Sequence, residues 1–77
     1  MTDDDRDLLR FEDDHPRWDG AKELAVRRQF ELTPVRYTQR LLRLVRTPEG
    51  VAAFPMLAHR LERQQARAAE RRRLRTA

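Results

Sequence analysis

No cysteine occurs in the 77 residues, so neither a disulfide framework nor a thiolate metal site is available. Serine, asparagine and isoleucine are missing as well; without Ser or Cys the commonest side-chain nucleophiles are gone. The only two glycines, Gly20 and Gly50, stand alone, which excludes a glycine-rich loop that cradles phosphate. His15 and His59 lie 44 positions apart and offer no paired metal ligands. Asp13 and Asp14 are adjacent, so on a helix they point about 100° apart and form no facing acid–base pair. No enzymatic activity, cofactor or metal site is expected. No apolar run approaches the ~18 residues of a membrane span, and the acidic N-terminal stretch has no apolar signal segment, so the chain reads as cytoplasmic with no membrane partner.

What is abundant is charge, and it is unevenly distributed. Residues 1–23 carry nine acids against four bases, whereas residues 24–77 carry thirteen bases against four acids. A basic two-thirds behind an acidic leader points to a polyanionic partner, nucleic acid before any other. Sixteen of the seventeen basic residues are Arg, Lys22 being the exception. Arginine suits bidentate contacts to phosphate or guanine, although GC-rich codon usage produces the same bias. A chain of this length buries one small core and has no room for a deep cleft.

The pattern of caps and breakers divides the chain into helices. Thr2 ahead of Asp3, Asp4 and Asp5 marks a first helix to about Asp14, with Leu8, Phe11 and Leu9 inward; Pro16 ends it. Trp18 follows in the connection and is read as the largest plug of the core. Asp19 caps a second helix, Gly20 to Phe30, with Leu24 and Phe30 inward beside Val26 or Ala25. Thr33 and Pro34 open a third helix over 34–46, in which Tyr37, Leu41 and Leu44 share one sector and Arg36, Arg40 and Arg43 face away from it. Thr47-Pro48-Glu49 repeats the cap-then-proline entry and predicts a short turn in which Val51 and Phe54 fold back on the core. Pro55 opens the last helix, with Met56, Leu57 and Leu61 as its apolar contacts. Beyond Leu61 the composition favours helix but has no broad apolar stripe, and Arg60, Arg63, Arg67 and Arg71 line one side of a solvated segment that frays toward Ala77 or orders along a phosphate backbone. The expected fold is all-α: a compact helix-turn-helix-type bundle of three to five helices with an extended basic C-terminal helix. Residues 1–61 form the helical domain and 62–77 a basic arm.

Several short motifs in order carry a family likeness: Leu9-Arg10-Phe11-Glu12, Trp18, Gly20-Ala21-Lys22-Glu23 with Ala25-Val26-Arg27, Phe30-x-Leu32-Thr33-Pro34-x-Arg36-Tyr37 with Gln39, and Pro55-Met56-Leu57 before an Arg-rich end. On these the chain resembles the small actinobacterial domain-of-unknown-function proteins, also carried by actinophages, that are described as helix-turn-helix-like. The resemblance covers about Asp7 to the basic tail and implies a compact helical protein associated with DNA or transcription. Four positions depart from it or from the general helix-turn-helix pattern. Glu31 stands where a glycine is favoured, Thr38 where a second aromatic commonly follows the tyrosine, Arg27 where a small residue lets helices approach, and Arg40 where an apolar one is usual.

Together these features predict a DNA-binding protein, a transcriptional regulator or nucleoid-associated factor. It would contact duplex DNA through Thr33, Arg36, Thr38, Gln39, Arg40, Arg43 and Arg46 on helix 34–46 and through Arg60, Arg63, Arg67 and Arg71 on the tail. Gln39 pairs with adenine in this reading, Arg36 or Arg40 with guanine, and the remaining guanidiniums with phosphate. Specific operators normally demand a dimer, and no dimer seam is visible, so homodimerisation is left open. The alternative is a protein-binding adaptor docking on RNA polymerase or a sigma factor through Phe54, Met56 and Leu57, which would then be partly exposed. A further option has Asp3, Asp4, Asp5 and Asp7 folding against the arginine face.

Overall fold

Four of the helices start from a hydroxyl or carboxylate that receives a freed backbone N–H. In the computed structural model, which describes residues 1–76, helix α1 spans Asp3–Asp14, α2 Gly20–Phe30, α3 Pro34–Val45, α4 Pro48–Ala53 and α5 Pro55–Thr76. Thr2 accepts from Asp5 N–H at 3.1 Å while Asp5 accepts from Thr2 N–H at 3.0 Å, a reciprocal box at the head of α1. Asp19, Thr33 and Thr47 cap α2, α3 and α4 through the N–H groups of Lys22, Arg36 and Gly50. Pro34 and Pro48 occupy the first turns of α3 and α4, where a missing donor costs nothing. No strand occurs among the described residues, and the fold is all-α. The fraying anticipated at Ala77 lies outside the described residues.

Helix α3 is the hub and packs against each of the other four. The core is Leu8 and Leu9 from α1, Val26 from α2, Tyr37, Leu41 and Val45 from α3, and Leu57, Ala58 and Leu61 from α5. Phe11, Phe30, Leu32, Leu44 and Phe54 close over it, half-buried. Tyr37 sits among aromatics, with the Phe11 and Phe30 ring centroids 6.3 and 6.2 Å from its own. The close approach of α4 to the end of α3 depends on Gly50, where any Cβ would collide with the Leu44 carbonyl.

Four expectations about the core are corrected. Trp18 is not an internal plug: it lies in the loop after Pro16 and is 45% exposed, with the Tyr37 ring and the Lys22 ammonium behind it. Leu24 faces solvent because α2 buries Lys22 and Val26, which share a face one turn apart, and Leu24 lies about 200° from both. Met56 is 77% exposed because α5 turns Leu57, Ala58 and Leu61 inward, leaving the preceding position outside that sector. Val51 is likewise exposed, since the six-residue α4 directs Gly50 toward α3 and contacts the core through Phe54 beyond its end.

Helix α5 runs unbroken through Leu61 and, at 22 residues, is about 33 Å long. Past Leu61, among the described residues, only Gln65 and Ala68 are half-buried. The projecting end explains a Cα radius of gyration of 13.2 Å, against the roughly 11.5 Å expected of a compact chain of this length.

Candidate functional site

The face of α3 opposite Tyr37, Leu41 and Val45 is polar and cationic. Arg36, Gln39, Arg43 and Arg46 are all exposed there. Arg36, Arg43 and Arg46 have no carboxylate within 4.0 Å among the described residues. Arg40, at the flank, behaves differently: its Nη2 donates to Asp5 Oδ1 at 2.7 Å. That bond, with the Thr2 backbone N–H on the other oxygen, holds the Asp5 carboxyl below the usual carboxylate range. Of the acidic leader, Asp5 alone makes an ion pair with the α3 arginines; Asp3, Asp4 and Asp7 remain exposed. Arg36, Gln39, Arg40 and Arg43 line one shallow groove, with Asp5 at its side.

Thr33 and Thr38 stand apart from this row. The Thr33 hydroxyl is engaged as the cap of α3, accepting from Arg36 N–H at 3.2 Å. Thr38 is exposed on the other flank and, with Trp18, Pro34, Val35 and Gln39, borders a second shallow groove. The α5 arginines form a separate strip: Arg60, Arg63 and Arg67 run along one side with Met56, His59 and Gln64. Arg63, Arg67 and Arg71 are exposed without a carboxylate partner among the described residues. Arg60 is half-buried, its Nη1 3.9 Å from Asp13 Oδ1, and its Nε and Nη2 are buried without a hydrogen-bond partner. The structure thus gathers Arg36, Gln39, Arg40 and Arg43 at one groove and Arg60, Arg63 and Arg67 at another, with no lining residue in common.

Behind α3 lies a buried polar cluster that sequence reasoning missed. Glu12 Oε1 accepts from Lys22 Nζ and from the Tyr37 hydroxyl, each at 2.8 Å, joining α1, α2 and α3 at one oxygen. Both charged side chains are less than 10% exposed. The Lys22 ammonium also lies 5.1 Å from the Trp18 ring centroid, so the indole lids the cluster on the solvent side. Removing either charge would leave its partner buried and unpaired, a loss of about 3–5 kcal/mol. The one available signal was that Lys22 is the single lysine among arginines.

The architecture defines a small all-α protein whose central helix carries an arginine-rich outer face. The chain matches the family described as Protein of unknown function (DUF3263) over residues 1–75, and it belongs to that family. No curated protein and no solved structure matches it.

Proposed function

We propose that the protein binds duplex DNA, with α3 presented to the major groove and the arginines of α5 on phosphates, as a transcriptional regulator or nucleoid-associated factor. The observation that carries this reading is the exposed row of Arg36, Gln39 and Arg43 on the face of α3 turned away from the core. A helix of 12 residues set on a small core projects side chains far enough to reach base edges. Arg36 and Arg43 are not engaged by carboxylates among the described residues, so phosphate or guanine is a natural partner for them. Arg40 contributes only if the partner outcompetes Asp5. The α2–α3 pair, joined through residues 31–33, serves as a helix-turn-helix in this scheme, and Glu31 takes the left-handed backbone (φ 57°) that such a turn demands.

The test is a gel-shift series on random duplex and on single strands at two salt concentrations, run beside an Arg36→Ala/Arg43→Ala variant. The proposal expects duplex binding that weakens with salt and falls at least tenfold in the variant. Equal affinity of variant and parent would contradict it.

One observation favours a second reading, a protein-binding adaptor for RNA polymerase or a sigma factor. Met56 is 77% exposed and Val51 45% exposed at the α4–α5 corner, although Leu57 is buried. Recovery of polymerase by a tail-deleted chain that has lost DNA binding would support that alternative.

A further inference from the structure

Trp18 and Val35 are the least expected residues at this surface. Val35, on the first turn of α3, is 65% exposed, and Trp18 is 45% exposed beside it. Scattered apolar residues on a surface are ordinary and mean little. These two, however, border one groove with Thr38 and Gln39 on the same helix that presents Arg36 and Arg43. Gln39 follows Val35 by four residues, one helical turn, so the two side chains leave one side of α3 from Cβ atoms about 6 Å apart. The indole is held in place from behind, with Lys22 Nζ 5.1 Å and the Tyr37 ring 5.9 Å from its centroid. A shelf already held in position adds little ordering cost on binding.

Resting on the duplex-DNA reading, we infer that Trp18 and Val35 form an apolar shelf that reads the C5-methyl groups of thymine in the major groove, while Gln39 reads adenine, so that the preferred ligand is duplex rich in A·T pairs. In that groove the thymine methyl is the one apolar group a base pair presents, and adenine N6 and N7 are the pair of atoms a glutamine amide matches bidentately. A G·C pair would instead set the cytosine N4 amino group against the shelf, losing its water with no acceptor in return. Charge complementarity commits the shelf to nucleic acid rather than to an apolar peptide, because Gln39 also borders the groove of Arg36 and Arg43, which have no carboxylate partner among the described residues.

The experiment titrates the full chain with three labelled duplexes of equal length: one rich in A·T, the same sequence with uracil replacing thymine, and one of G·C only. Labelled-DNA anisotropy reports binding, and the emission of the single tryptophan reports the shelf directly. The inference expects the thymine duplex to bind about fourfold tighter than the uracil duplex for each methyl buried. It also expects the indole emission to change on binding and Val35→Ser to lose the thymine–uracil difference. Val35→Ser is chosen because its side chain is exposed, whereas Trp18 also covers Lys22. Equal binding of all three duplexes with unchanged emission would overturn the shelf and leave duplex binding standing; no binding to any duplex would overturn both.

Discussion

The Tyr37 hydroxyl donates to a buried carboxylate, and that single bond has a pH signature. Burial, then the charge of Glu12 and its hydrogen bond, push the phenol pKa far above its ordinary value of 10.0. A proton held more tightly in the folded chain than in the unfolded one stabilises the fold fully below about pH 10, and the contribution is lost as pH rises from there toward the folded pKa. Because this is the only tyrosine, the ultraviolet phenolate band is unambiguous. It is expected to appear only as helical circular dichroism disappears; a band titrating near pH 10 in a still-helical protein would contradict the buried bond. Glu31 gives a second prediction. It ends α2 with φ 57° and ψ 37°, a left-handed conformation that clashes with a Cβ, and its N–H bonds Arg27 O at 3.0 Å. Replacing it by glycine keeps that bond and removes the clash, offset in part by the greater freedom of the unfolded chain. Glu31→Gly should therefore raise stability by about 0.5–1 kcal/mol, read as a higher denaturant midpoint at unchanged slope; a lower midpoint would show that the Glu31 side chain has a role of its own.

At the scale of elements, helix boundaries and helix faces were legible to different degrees. Boundaries follow from local chemistry: Thr2, Asp19, Thr33 and Thr47 mark four helix starts, and Pro16 follows the first stop. The sector of α3 was readable in the main, since Tyr37 and Leu41 repeat at helical spacing and leave Arg36 and Arg43 opposite, but Val45 rather than Leu44 completes the buried face and Arg40 turns to the flank to meet Asp5. The phase of α2 was not, because it turns on Lys22 pairing with Glu12 across ten positions of sequence, a tertiary contact that no local pattern reveals. Once Lys22 goes in, Leu24 must go out, and Trp18 becomes a lid over the ammonium rather than a plug. The shelf beside Gln39 was hidden for the same reason. Helix α5 past Leu61 is the opposite case, held by helix propensity and few contacts. Exchanging Arg63, Arg67 and Arg71 together for Gln should leave the melting temperature within a degree or two, since glutamine and arginine have similar helix propensity and these side chains are exposed. The same variant should lose affinity for duplex DNA, which separates the binding role of the arm from any part in stability; a large drop in melting temperature would instead place the arm in the fold.

The whole molecule is a slab of 42 × 30 × 17 Å with its charge sorted along the chain, acids on α1 and guanidiniums on α3 and α5. Such a distribution would orient a polyanion as well as attract it, because exposed Asp3, Asp4 and Asp7 share α1 with Asp5, which holds Arg40 midway along α3. No helix among the described residues is long and apolar enough to cross a membrane. If the outer face of α3 and the separate arginine strip of α5 both neutralise DNA phosphates, the most direct measure is the slope of log affinity for a random duplex against log salt concentration. Six phosphate contacts predict a slope of about −5, reduced in magnitude by up to about 3 in the variant lacking the three α5 arginines. A slope near zero, or one that the α5 substitutions leave unchanged, would contradict the account.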